Sequence, residues 1–146
     1  MKLLRAAVTA MILTGAVAGV ASADTACTFL EVSATTGDKP AIDPDLKPLE
    51  KKLKRPPFSA WNVFRVQSKH DSTLQKGKPD NVALQSGKAS VMLRDHVQGR
   101  VQLEILVDDA SGKRIIAAKP DLTDGEWLVL GMNANSNGHL LALACK

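Results

Sequence analysis

Tyrosine is absent from this chain, and only three Phe and two Trp stand in for aromatics. A core must therefore rest on Val, Leu and Ile, and the aromatic platforms common on carbohydrate- and peptide-binding surfaces are scarce. Cysteine is equally sparse: Cys27 and Cys145 lie far apart, with no C-x-x-C, so a redox or zinc pair is not the first reading. The histidines, His70, His96 and His139, form no H-x-H or H-x-x-x-H pair, and a metal site has no ligand pattern to rest on. Neither G-x-G-x-x-G, a P-loop nor G-x-S-x-G occurs, which removes the usual nucleotide and nucleophile-elbow signatures. We therefore expect no cofactor, no metal and no catalytic residue.

A hydrolase built from His96 or His70 with a loop Ser or Asp is the alternative. His70-Asp71 and Asp95-His96 are adjacent in sequence. Adjacent strand residues point to opposite faces, so neither aspartate suits its neighbour as an orienting carboxylate. Both pairs read as turns. Glu31 and Glu104 fall within strand patterns and are candidates for paired carboxylates facing a cleft. The DDASG stretch at 108–112 lacks the later acidic ligand of a calcium loop and reads as a hairpin turn.

No uninterrupted apolar run reaches the ~20 residues that span a bilayer, so no transmembrane anchor is expected. The nearest, Ala6 to Val20, follows Lys2 and Arg5 and precedes Ala21-Ser22-Ala23. That order predicts a signal peptide over 1–23 and a mature domain over 24–146, exported to the periplasm or beyond. Lipidation at Cys27 competes poorly, because Asp24 stands where a lipobox needs an apolar residue. Cleavage takes away two of 19 basic residues and none of 15 acidic ones, and the net charge falls from +4 to +2. Bulk attraction to nucleic acid loses its support. In an oxidising compartment two cysteines read as a disulfide between Cys27 and Cys145, which makes neighbours of the first and last segments.

What is present is mostly strand pattern. Residues 25–33 alternate, as do 88–94 and, most cleanly, 100–108, with Val101, Leu103, Ile105 and Val107 on one face. Ser86-Gly87 and the DASG stretch mark hairpin turns. The 42–55 segment is the single helical pattern, with Leu46, Leu49 and Leu53 as a narrow stripe, Asp43 or Asp45 as caps, and Pro56-Pro57 as the stop. A strand is expected over 58–68, with Phe58, Phe64 and Val66 on one face and Trp61 on the other. The reading is a mainly β domain, a sandwich or barrel of about eight short antiparallel strands with one short N-terminal helix. Lys51, Lys52, Lys54 and Arg55 end that helix, where cations suit its dipole. They are also the one charged cluster able to hold an anionic lipid or polymer.

The leucine- and lysine-rich segment IDPDLKPLEKKLKRPPFSAWNVFRV, followed by KGKPDNVALQSGKASVML and DGEWLVLGM, resembles a group of short exported proteins of unknown function from myxobacteria and related Gram-negative bacteria. The resemblance implies export and a compact β domain, and no activity. Together these readings point to a non-enzymatic binding or accessory module of the cell envelope, with an envelope protein or polymer as partner.

Overall fold

In the computed structural model, residues 24–133 and 137–146 are described, and they form ten strands in two sheets. The first sheet holds β1 (Thr25–Thr35), β2 (Ala41–Ile42), β3 (Val63–Leu74), β9 (Leu128–Asn133) and β10 (Gly138–Cys145) in the order β2-β3-β1-β10-β9. The second holds β4 (Pro79–Leu84), β5 (Gly87–Val97), β6 (Arg100–Asp109) and β7 (Arg114–Ala118) in sequence order, with β8 (Asp121–Thr123) also paired to β6. The expected mainly β sandwich is what forms. Its two additional strands, β2 and β8, are two and three residues long and occupy stretches with loop composition. The expected signal peptide, residues 1–23, lies outside the described residues. Among the described residues no helix is long and apolar enough to cross a membrane.

Alternation decides which faces meet. Cys27, Phe29, Leu141 and Leu143 point from the first sheet toward Val91, Leu93, Val101, Leu103 and Ile105 of the second, all buried in one cluster. Each fully buried side chain of this size contributes about 1.5–3 kcal/mol relative to exposure. The other face of the first sheet is covered too. Leu30, Val32, Ala34, Phe64, Leu140 and Ala142 pack beneath Leu46, Leu49 and Leu53. Strands β1 and β10 are thus buried on both faces, which is why GHLLALAC reads as an almost unbroken apolar run.

The covering segment differs from the expected helix. Pro44–Leu49 forms a 3₁₀ turn and only Glu50–Leu53 is α-helical (α1). Pro48 within the first part cannot donate a backbone bond. Asp43 stands at its N-cap, as expected, but makes no side-chain capping bond; its Oδ2 instead accepts from the Val66 amide at 2.7 Å. All three leucines of the stripe are buried as expected. The strand expected over 58–68 is a second correction. Phe58–Ala60 is another 3₁₀ turn and the chain becomes extended at Val63. Trp61 therefore joins Phe58, Phe64 and Val66 in one cluster instead of facing away from them. Its ring lies over Gly138, where a Cβ would fall 2.8 Å from the indole.

Cys27 and Cys145 are directly opposite in the β1–β10 ladder, 4.1 Å apart at Cα and joined by a disulfide that closes a separation of 118 residues. Strand β3 carries a bulge: Val32 pairs with Val66 and Glu31 with Ser68, which leaves Gln67 as the extra residue. That insertion reverses the facing of everything after it. Lys69, Asp71 and Thr73 thereby share the outer face with Phe64 and Val66, and Ser68, His70 and Ser72 turn toward the second sheet.

Candidate functional site

Three polar clusters join the sheets, and they take up most of the residues in which chemistry was sought. His96 is not at a turn but within β5. Its Nδ1 lies 2.7 Å from Thr25 Oγ1 and its Nε2 2.7 Å from Asp124 Oδ1. A hydroxyl, an imidazole and a carboxylate in that order are the parts of a nucleophilic triad. Thr25, however, is 0% exposed, and neither it, His96 nor Asp124 lines any of the described cavities. The hydroxyl has no path to a substrate, and the cluster ties β1 and the segment after β8 to β5.

His70 lies within β3, again not at a turn. Its Nε2 is 3.7 Å from Asp80 Oδ2, and the same carboxylate oxygen accepts from Ser72 Oγ. The carboxylate sits between serine and histidine, so the imidazole cannot take the serine proton. Asp80 is in β4, and this cluster closes the side of the sandwich where β3 meets β4. Glu31, 1% exposed, completes the set. Its Oε2 accepts from Ser68 Oγ (3.1 Å) and the Gln85 amide (2.8 Å), and its Oε1 from the Ser86 amide (3.1 Å) and hydroxyl (3.0 Å). Glu104 alternates with the core residues Leu103 and Ile105 and so points away from the sandwich interior. The two glutamates share no cleft.

The basic run is on the surface, as its composition suggests. Lys51, Lys52, Lys54 and Arg55 are all exposed at the end of α1. Lys54 is engaged with Glu50 at 2.7 Å, one helical turn back. That hydrogen bond, with the lysine charge behind it, holds the Glu50 carboxyl below its ordinary range. Lys51, Lys52 and Arg55 have no acidic partner within salt-bridge reach among the described residues.

The largest of the described cavities lies elsewhere. A cleft of about 460 Å³ opens on the outer face of the first sheet, past the end of the helical cover. Ala26, Thr28 and Ala144 form its floor, and Asp71, Trp127 and Lys146 rise around it. Thr28 donates to Asp71 Oδ1 at 2.7 Å. The floor is two strands wide, roughly 5 Å per strand spacing, with Asp71 on the β3 side and Trp127 on the β9 side. The disulfide fixes it from beneath, since Cys27 and Cys145 alternate with the floor residues. Asp71 was legible only as a neighbour of His70, and Trp127 only as part of the DGEWLVLGM stretch. One signal was available: a Cys27–Cys145 cross-strand pair sets small Thr28 and Ala144 opposite each other on the outer face. Among the described residues no group of three or more His, Cys, Asp or Glu converges as a metal site. No protein-family model, curated protein or solved structure matches the chain.

Proposed function

We propose that the protein is an exported, non-enzymatic binding module of the cell envelope, and that the Trp127 cleft is where it takes its ligand. Export is supported by the leader pattern of residues 1–23 and by the disulfide. The observation that carries the binding reading is the cleft itself: a flat indole, a carboxylate and two hydroxyl-bearing threonines around a floor of small residues. Such a site fits a ligand with one weakly polar face for Trp127 and hydroxyl or amino groups for Asp71. Envelope glycan and peptidoglycan fragments offer both.

A fluorescence titration of the mature protein with a peptidoglycan digest tests this, in a Trp61→Phe background so that Trp127 alone reports. A saturable change that disappears when Ala144→Phe fills the floor is expected. An unchanged signal throughout the titration rejects the cleft as the site. The exposed Lys51, Lys52 and Arg55 support a second reading, an anionic envelope polymer or lipid held at the basic edge. Envelope retention that falls with salt and with Lys51→Glu/Lys52→Glu, but not with Ala144→Phe, favours that edge.

A further inference from the structure

Four strand edges border the two sheets, and three are defended. An unpaired edge presents free N–H and C=O groups, and proteins guard such edges with charge or proline. The β4 edge has Pro79 and Asp80. The β7–β8 edge has Arg114, Lys119, Pro120 and Asp121. The β3 edge has β2 against its start and Arg65, Lys69 and Asp71 beyond. Strand β9 reads Leu-Val-Leu-Gly-Met-Asn, with no charge and no proline to guard it; a bulge at Met132 is its one irregularity, and among the described residues it pairs with β10 alone. Beside it stands Ile115, 36% exposed, which with Met132 lines a small cavity of about 150 Å³.

We propose that β9 pairs antiparallel with β9 of a second copy, joining the two five-stranded sheets into one of ten. A two-fold axis perpendicular to the sheet at Leu130 keeps like faces together. It sets Leu128 opposite Met132 on the inner face and Val129 opposite Gly131 on the outer. Leu130 meets its own copy at the axis, Val129 meets Gly131, and no charge opposes another. A hetero-edge pairing with β4 or β7–β8 would bury Asp80, Arg114 or Asp121 against an uncharged strand. Chemistry thus favours the self-pair. Trp127, one residue before β9, comes to lie at the seam. This pairing does not depend on what the cleft binds.

Sedimentation analysis of the oxidised mature chain over a wide concentration range is the test, and a reversible monomer–dimer equilibrium is expected. Gly131 is exposed and a Cβ there meets nothing within 4 Å, so Gly131→Lys leaves the fold intact while placing a charge in the edge. It raises the dimer dissociation constant roughly tenfold or more. Gly131→Asp does the same alone. An equimolar mixture of the two recovers dimer, because the residues at position 131 become diagonal neighbours across the axis, about 7–8 Å apart. Ala117→Lys on exposed β7 changes nothing. A protein that stays monomeric at every concentration overturns the proposal. So does a dimer broken by Ala117→Lys and not by Gly131→Lys, or a Lys/Asp mixture that stays monomeric.

Discussion

Replacing Glu31 by Gln preserves shape and removes one acceptor from a carboxylate that now serves four donors. Those donors are Ser68 Oγ and the Gln85 amide on one oxygen, and the Ser86 amide and hydroxyl on the other. Whichever way the new amide turns, its NH₂ faces a backbone N–H of Gln85 or Ser86. Serine hydroxyls can rotate to accept, but a backbone N–H cannot. One turn amide is left without a protein acceptor, at a cost of about 1–3 kcal/mol. Part of the turn is open to water, which places the expected loss near ~2 kcal/mol. Glu31→Ala abandons all four bonds and opens a void, and about 3–4 kcal/mol is expected. Urea unfolding of the oxidised protein measures both, with an unchanged slope required for the comparison to hold. Hydrogen exchange should accelerate at one of the Gln85 and Ser86 amides in Glu31→Gln and at both in Glu31→Ala. If Glu31→Gln lies within ~0.5 kcal/mol of the parent, the four bonds contribute little net stability and the account of this cluster fails.

Gly138→Ala places a methyl 2.8 Å from the Trp61 indole and should cost about 1–3 kcal/mol by overpacking. Gly131→Ala, with open space, serves as the neutral control in the same thermal melts. Replacing both cysteines by Ala releases a loop closed over 118 residues, and about 4–5 kcal/mol of stability should vanish by the chain-entropy argument; denaturant midpoints with and without the bridge decide it. The Asp109 carboxyl is held below its ordinary value of 3.8 by hydrogen bonds from the Ser111 hydroxyl, then the Lys113 and Ser111 amides. A depressed folded value means this turn's support is complete above the ordinary value and lost as pH falls through the folded one. Amide shifts of Ser111 and Lys113 should therefore stay constant above about pH 5 and move only in more acid solution.

The sandwich was legible because its second sheet is ordinary: one face buried, one wet, so β6 shows its alternation openly. The cysteines added the pairing of first and last strands. What escaped notice came from places where local pattern and tertiary setting diverge. Counting parity from Phe64 sends Asp71 inward, and the bulge at Gln67, invisible in sequence, sends it outward to the cleft. Trp61 was misplaced because alternation was assumed to begin at Phe58, ahead of the 3₁₀ turn. His70 and His96 read as turn residues since polar clusters usually are; here they lie in strands and each meets its own partner across the gap between sheets, Asp80 for His70 and Thr25 for His96. Partners separated by 71 residues, such as Thr25 and His96, leave no local trace.

The disulfide has a mechanical side. Tension applied at Asp24 and Lys146 enters β1 and β10 next to Cys27 and Cys145, and passes from one strand to the other through a single covalent bridge. Every residue between them lies off the path of the force, the Glu31 and His70 clusters included; of the His96 cluster only Thr25 is on the loaded segment. Such a domain does not lengthen when pulled by its ends until it is reduced. It then has the extended length of 118 residues in reserve, on the order of 400 Å at ~3.4 Å each.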